Sequence, residues 1–209
     1  QDLSRLPILS KRQVYEHGEQ LQPSRVPSGT KRYGIVKSSG TTGRPTHVVQ
    51  SVLSNRMFAI LGQRQFRWFR FDPSKTLAAI RLPGHLPRTA DGTVLSDGAT
   101  SRLAKWRYVG KYFHTGPECC FNVTNPVEKQ IAWLEQLQPT YLMSYSESLE
   151  HLALACEGRN PMNRLEGVWA ISEQLTPSMR RRIERTFGVP VHQNYGLNEI
   201  GRVAVRCAA

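Results

Sequence analysis

From residue 125 onward, helical and strand patterns alternate along the chain. Apolar residues recur at helical spacing in some segments and form short, nearly continuous runs in others. The expected elements are helices over residues 125–137, 147–156 and 176–187, and strands over residues 141–144, 168–171 and 189–193. Because short connections join helices and strands in alternation, this half predicts an α/β fold with a mostly parallel sheet flanked by helices.

Two polar segments follow neighbouring strands of this predicted sheet. Ser172, Glu173 and Gln174 come directly after the strand at residues 168–171, and the sequence YGLNE at residues 195–199 follows the next strand. Ligands of open parallel sheets bind outside the carboxyl ends of the strands. We therefore expect the two segments to meet at one edge of the sheet and to form part of a ligand site.

The amino-terminal half contains a loop rich in Ser, Thr and Gly, SSGTTGRPT at residues 38–46, between predicted strands at residues 32–37 and 48–52. Gly40 and Gly43 permit positive φ and a close approach of the backbone, so successive N–H groups can point at one anion. Hydroxyl donors are added by Ser38, Ser39, Thr41 and Thr42. The loop is a candidate phosphate-binding loop, although its composition is also typical of a solvated turn. The strand–loop–helix signatures GxxxxGK[ST] and GxGxxG are absent.

The remaining patterns indicate no repeat and no low-complexity tract. Further expected elements are helices over residues 11–20 and 54–69, strands over residues 77–82 and 203–205, and a long loop over residues 83–101. A chain of 209 residues is long enough for one domain with a substantial core. No run of 18 apolar residues is present, so the sequence predicts no transmembrane helix.

Two motifs, in the same order, resemble those of the adenylate-forming enzymes, the acyl-CoA and aryl-CoA synthetase superfamily. SSGTTGRPT resembles the phosphate-binding loop of that superfamily, and NYGLNE at residues 194–199 resembles its aromatic–Gly–x–Thr/Ser–Glu motif. Further segments are similar to the phenylacetate–CoA ligase and capsule-biosynthesis branch: LPILSK at residues 6–11, Thr46 after Pro45, QPTYL at residues 138–142 and ISEQLT at residues 171–176.

The resemblance implies roles for individual residues. Glu199 matches the acidic residue that helps to hold Mg²⁺, and Asn198 stands where the family usually has a Thr or Ser that touches the α-phosphate. Tyr195 matches the aromatic residue that stacks on adenine, and Gly196 lets the backbone approach the nucleotide. The residues expected to bind ATP are Ser38, Ser39, Gly40, Thr41, Thr42, Gly43, Ser172, Glu173, Gln174, Asn194, Tyr195 and Gly196. Residues 172–174 are expected to act mostly through their backbone, and Tyr145 and Trp169 are candidates either for an acyl pocket or for the core.

By the same resemblance, residues 1–209 are an incomplete AMP-binding domain from the large amino-terminal domain of such an enzyme. Residues 1–30 would form its opening segment, residues 31–124 a phosphate-loop and mixed β region, and residues 125–209 the α/β nucleotide-binding half. Because the chain begins with Gln1 and stops ten residues after Glu199, we expect it to lack the ribose-binding Asp and the small carboxy-terminal domain of the family.

The implied activity of the parent protein is the activation of a small aryl or acyl carboxylic acid in the cytoplasm. ATP and Mg²⁺ would serve the formation of acyl-AMP, and coenzyme A would accept the acyl group. The alternatives are acyl transfer to a protein or sugar acceptor, a non-catalytic nucleotide-binding module, and a basic protein that binds nucleic acid. The net charge of +12, from 28 basic and 16 acidic residues, is compatible with the last class. The basic residues are spread along the chain, however, which disfavours a nucleic-acid surface.

The Cys and His residues are not spaced along the sequence as metal ligands are. The cysteines are Cys119, Cys120, Cys156 and Cys207. Vicinal Cys119 and Cys120 lack the CxxC pattern of a metal site, and we expect buried, reduced thiols. His47, His114 and His192 are expected to be structural. Oligomerisation stays open at this stage.

Overall fold

A computed structural model describes residues 4, 6–22, 32–37, 47–88, 92–93, 95, 97–107, 109–156, 158–197 and 201–205. Its helices are α1 (Lys11–His17), α2 (Val52–Trp68), α3 (Val127–Leu137), α4 (Ser146–Ala155) and α5 (Pro177–Phe187). Its strands are β1 (Arg32–Lys37), β2 (His47–Ser51), β3 (Leu77–Arg81), β4 (Thr100–Leu103), β5 (Glu118–Asn122), β6 (Tyr141–Tyr145), β7 (Gly167–Ile171), β8 (Val191–Leu197) and β9 (Gly201–Val205). The chain divides into two compact units, Gln1–Phe58 with Leu197–Gly201 and Ala59–Gly196 with Arg202–Ala209.

The first unit contains α1 and the antiparallel pair of β1 and β2. Ser10 caps α1 through a capping box, in which its hydroxyl accepts from the backbone N–H of Gln13 and the Gln13 side chain accepts from the backbone of Ser10. In the strand pair, Lys37 is opposite His47 and Val36 is opposite Val48. Both strands agree with the sequence prediction, and the candidate phosphate loop that joins them lies outside the described residues.

The second unit is built on a seven-stranded sheet with the order β4-β5-β3-β6-β7-β8-β9. Strands β5, β3, β6, β7 and β8 run parallel to one another, and β4 pairs antiparallel with β5 at one edge. From α3 to β8, helices and strands alternate as expected. The α/β fold with a mostly parallel sheet flanked by helices, predicted from the sequence, is therefore confirmed.

Both faces of the central strands are buried. On one face, Val168 and Ala170 of β7 pack in a core that also contains residues of α3, α4 and α5. On the other face, Trp169 and Ile171 pack in what we call the aromatic core, whose other large members are Phe66, Phe69, Phe71, Trp106, Tyr141, Met143 and Tyr145. Burial on both faces explains why the sequences of β6 and β7 are nearly continuous apolar runs, without the alternation of apolar and polar residues seen in half-exposed strands.

The sequence analysis missed β4 and β5. The residues of β5 are all buried, including the carboxylate of Glu118 at its start. Arg107 makes this burial possible, because its Nε donates to Glu118 Oε1 at 2.7 Å and its backbone N–H donates to Oε2 at 2.6 Å. A charged residue beside two cysteines does not resemble a core strand in the sequence. The expected loop over residues 83–101 contains a 3-10 turn at Pro83–His85, and its end enters β4.

None of the described helices combines the length and the apolar character needed to cross a bilayer. Three of the four cysteines, Cys119, Cys120 and Cys156, are buried and free, which agrees with their predicted structural role. Burial, with the nearby Glu118 charge, raises the pKa of the Cys120 thiol to about 12, so this thiol is unreactive.

The imidazole of His192, near the start of β8, packs within the aromatic core. Its ring stacks on Phe69 with 4.4 Å between the ring centroids. The Phe71 ring is nearly perpendicular to it, with 5.2 Å between the ring centroids. Burial is the main reason that the pKa of His192 falls to about 4, and the positive charge of Arg180 lowers it further. The folded protein therefore holds this imidazole neutral under conditions in which the unfolded chain protonates it.

We predict that His192 makes the protein less stable as the pH falls from about 6.5 to about 4. In this window the unfolded chain binds a proton that the folded chain does not, so the free energy of unfolding declines, by on the order of 2 kcal/mol once the shift is discounted for the partial exposure of the ring. His192→Phe and His192→Gln should both lose this part of the pH dependence in urea unfolding, although their stabilities at neutral pH differ. Retention of the full slope by both variants would contradict the assignment.

Candidate functional site

Strand β7 ends at Ile171, beside the middle of β8, which continues to Leu197. In the parallel register of the two strands, Trp169 is opposite His192 and Ala170 is opposite Gln193. Beyond the last pair, Gln193 Nε2 donates to the backbone oxygen of Glu173 at 2.9 Å. The segment at residues 172–174 therefore lies next to the end of β8, as the predicted strand order requires.

The turn after β7 is held in one conformation by its neighbours. Ser172 has φ of 65°, a left-handed value that is unfavourable for a residue with a Cβ atom and that occurs often at functional sites. Glu173 Oε2 accepts from the backbone N–H of Glu147 at 3.1 Å, and Ser146 Oγ donates to the Glu173 backbone oxygen at 3.3 Å. Residue 145, which precedes α4, makes no side-chain capping bond. The Glu173 carboxylate therefore caps α4, where it also interacts favourably with the helix dipole.

Tyr195 and Gly196 continue strand β8, which extends to Leu197. The sequence predicted a strand that ends at residue 193, with YGLNE after it, and this boundary was wrong. The extension has a physical reason, because β9 is the neighbour of β8 in the sheet and provides its backbone with hydrogen-bonding partners beyond the residues paired with β7. The Tyr195 side chain is 60% exposed at the end of the sheet.

Asn194 directs its side chain toward the aromatic core. Its Oδ1 accepts from Trp169 Nε1 at 2.7 Å and from Gln65 Nε2 at 3.4 Å. Trp169 is buried and packs edge-on against Phe66, and the Tyr145 hydroxyl accepts from the backbone N–H of residue 82 at 3.2 Å. The sequence left open whether Tyr145 and Trp169 line an acyl pocket or belong to the core. In the structure both belong to the core. Sequence reasoning gave no indication of Gln65, since a glutamine on a helix normally faces solvent.

The other expected site residues lie outside the described part of the chain. They are Ser38, Ser39, Gly40, Thr41, Thr42, Gly43, Asn198 and Glu199. Their roles stay predictions. Within the described ranges, no group of three or more His, Cys, Asp or Glu side chains is arranged to hold a metal ion.

A cavity of about 390 Å³ lies away from this edge of the sheet. Its lining residues are Gly158, Arg159, Asn160, Arg182, Arg185 and Thr186. Two of its arginines pair with carboxylates: Arg159 with Glu135 at 2.8 Å and Arg182 with Glu150 at 3.4 Å. The cavity also lies beside the end of α5, where basic residues are favourable to the helix dipole, so its charge has a structural explanation.

Solved structures of acyl-CoA ligases share the fold. An open conformation of 2-hydroxyisobutyryl-CoA ligase in complex with 2-HIB-AMP and CoA matches with a TM-score of 0.65 and 18% identity over 94% of this chain and 44% of that chain. Apo MatB from Rhodopseudomonas palustris matches with a TM-score of 0.57 and 17% identity, over 85% of this chain and 31% of that one. The long-chain-fatty-acid-CoA ligase FadD1 from Archaeoglobus fulgidus matches with a TM-score of 0.56 and 12% identity, over 83% and 33%.

No protein-family model matches the chain, and no curated protein matches its sequence. The chain spans less than half the length of these solved structures. At such low identity the comparison establishes the fold, which is that of adenylate-forming acyl-CoA ligases. The fold that the resemblance implies is confirmed, while the roles of the two sequence motifs and the phenylacetate–CoA ligase branch stay predictions.

We predict that Glu173→Ala lowers the free energy of unfolding by about 1 kcal/mol, because α4 loses the acceptor at its first turn. Glu173→Gln retains an oxygen acceptor at the same position and should lose less than half as much. Chemical unfolding of the three proteins measures the difference. Equal stability of the alanine variant and the wild type would show that Glu173 does not cap α4.

Proposed function

We propose that this chain belongs to an adenylate-forming enzyme and provides part of its ATP site. The observation that carries the proposal is the contact of Glu173 with Gln193 of β8, two residues before the exposed Tyr195 on the same strand. The fold and the two sequence motifs support it independently. In this proposal residues 1–209 are an incomplete AMP-binding domain with the three segments set out above, and the parent protein is a cytoplasmic acid–thiol ligase that forms AMP.

The residues at the edge of the sheet suit an adenine base. Tyr195 is largely exposed among the described residues, and stacking on its ring is favourable for a planar base. The Glu173 side chain is engaged with α4, and its backbone N–H and oxygen are bonded to Ile171, Ser146 and Gln193. We therefore expect the turn to contact a ligand through the backbone of Ser172 and Gln174. Gly196 adds no side chain beside Tyr195, which allows a ligand to approach the strand closely.

The triphosphate would lie against the loop at residues 38–43 and against Asn198 and Glu199. Hydroxyl and backbone N–H donors suit phosphate oxygens, and the Glu199 carboxylate is the kind of ligand that Mg²⁺ prefers. Bound Mg²⁺ supplies charge neutralisation for the triphosphate and the leaving pyrophosphate. The role of the protein is alignment, so that a carboxylate oxygen of the acid forms a bond to the α-phosphorus while the bond from that phosphorus to pyrophosphate breaks.

We further propose a small aryl or acyl carboxylic acid as the substrate and coenzyme A as the acceptor, as in a phenylacetate–CoA ligase. Structures of 2-hydroxyisobutyryl-CoA ligase with 2-HIB-AMP in the postadenylation state, and with 2-HIB-AMP and CoA in the thioesterification state, support this order of acyl-AMP and then thioester. Transfer to a protein or sugar acceptor is the alternative within the enzyme class. A non-catalytic nucleotide-binding module is the second candidate, and the Asn198 amide in place of a hydroxyl favours it.

We predict that the chain binds ATP and that Tyr195→Ala weakens this binding about tenfold, because one aromatic stacking partner of the base is lost. Isothermal titration with ATP measures the effect. Tyr15→Ala removes another exposed tyrosine, in α1, and serves as the matched control that should bind ATP like the wild type. Equal affinity of the Tyr195 variant and the wild type for ATP would remove Tyr195 from the site.

We predict that Glu199→Gln weakens the binding of ATP in the presence of Mg²⁺ by on the order of tenfold, since the metal loses a charged ligand. AMP, which does not need the metal for binding, should bind to the variant and to the wild type alike. Titrations with each nucleotide over a range of Mg²⁺ concentrations test this. An unchanged Mg²⁺ dependence would rule out a metal role for Glu199.

A further inference from the structure

A hydrogen-bonded cluster of two buried donors and one half-buried acceptor lies beside the candidate site, on the aromatic-core face of the sheet. It consists of Gln65 on α2, Trp169 on β7 and Asn194 on β8, and we call it the Asn194 cluster. Trp169 Nε1 and Gln65 Nε2 both donate to Asn194 Oδ1, at 2.7 Å and 3.4 Å. Gln65 is 1% exposed and Trp169 is 7% exposed, so both donors act where water does not compete with them.

The cluster reaches past the end of the strand ladder. His192 is the partner of Trp169 in the register, and Ala170 opposite Gln193 is the last pair between β7 and β8. Asn194 is therefore the diagonal neighbour of Trp169 on the same face of the sheet. Their hydrogen bond ties the two strands together at the point where backbone pairing stops. Because side chains alternate along a strand, Tyr195 then faces away from α2.

The indole ring of Trp169 is itself held in place. Phe66 meets it edge-on with 5.5 Å between the ring centroids, and the Arg202 guanidinium lies 5.9 Å from its centroid. An added Cβ atom at Gly62 would lie 2.5 Å from Arg202 Nη1, so the glycine allows this guanidinium to pack against α2. A fixed indole gives Asn194 a donor of fixed position.

The buried amide of Gln65 lowers the stability of the fold, which indicates that it serves a purpose other than stability. Its Oε1 has no hydrogen-bond partner among the described residues, and a buried unpaired acceptor destabilises a protein. An apolar residue of similar size at this position would avoid that cost. The amide N–H group is the part of the side chain that makes a contact, and that contact is with Asn194.

We propose that Gln65 and Trp169 are positioning residues for nucleotide binding. They hold the side chain of Asn194 and, through it, the backbone of Tyr195, so that the Tyr195 ring is presented in one orientation for stacking on the adenine base. This inference rests on the proposed ATP site. It assigns to two residues of the core, neither of which touches the nucleotide, a share in its affinity.

The test is a titration of the 209-residue chain with ATP and with inorganic tripolyphosphate, which has the phosphates without the base. Trp169→Phe keeps an aromatic ring and removes the N–H donor, so it should weaken ATP binding about fivefold to tenfold and leave tripolyphosphate binding unchanged. In a Tyr195→Ala background the same substitution should have no further effect on ATP. Gln65→Met should weaken ATP binding about twofold to fivefold while the protein unfolds at the same or a higher urea concentration.

A spectroscopic measurement follows the hydrogen bond itself. The indole N–H resonance of Trp169 should be protected from solvent exchange in the wild type and should lose protection in Asn194→Leu. Asn194→Asp keeps an oxygen acceptor for the indole, so it should restore both the protection and at least half of the free energy of ATP binding lost in Asn194→Leu.

The possible failures are distinguishable. If Trp169→Phe weakens ATP and tripolyphosphate binding equally, or still weakens ATP binding in the Tyr195→Ala background, the positioning role is wrong while nucleotide binding stands. Failure of Asn194→Asp to restore affinity has the same meaning. If the wild-type chain does not bind ATP, the proposed function is wrong and the positioning role is wrong with it.

Discussion

The parallel pairing of β6, β7 and β8 is the constraint on which the rest of the molecule depends. Tyr141 pairs with Gly167 and Tyr145 with Ile171, so β6 and β7 start and end at the same level. The residues that follow the two strands therefore emerge together at one edge of the sheet. This is why Glu173, just after β7, can cap α4, which begins just after β6.

Packing at the opposite end of β7 explains how this register is held. The Phe71 ring stacks on Tyr141 with 4.0 Å between the ring centroids, and a Cβ atom at Gly167 would lie 2.7 Å from Phe71. A larger residue at position 167 would displace the ring or the strand. Near the carboxyl end of β7, the hydrogen bond from Trp169 Nε1 to Asn194 Oδ1 also holds β7 beside β8. Aromatic packing at one end and polar contacts at the other thus fix β7 between its neighbours.

The sequence predicted the central strands well because both of their faces are buried, and it predicted α5 well because Thr176 and Pro177 mark its start. It failed for β5, whose carboxylate is compatible with burial only because Arg107 lies beside it in the fold. It also placed the end of β8 too early, since the extension depends on β9. Such contacts between distant segments leave no local signal in a sequence.

The candidate site, too, could be predicted from the sequence only in part. The meeting of residues 172–174 with the end of β8 could be predicted from strand order, because it depends only on parallel topology. The Glu173 cap and the Asn194 cluster could not, because each depends on how side chains from different elements orient in three dimensions. Gln65 in particular resembles an ordinary surface residue of a helix until α2 is placed over β8.

Photoaffinity labelling with 8-azido-ATP shows directly whether the carboxyl edge between β7 and β8 binds adenine. We expect the labelled peptides to contain Tyr195 or residues 172–174, and excess ATP to suppress the labelling more than tripolyphosphate does. Labelling centred on the cavity lined by Arg159, Arg182 and Arg185, with none at the β7–β8 edge, would contradict it.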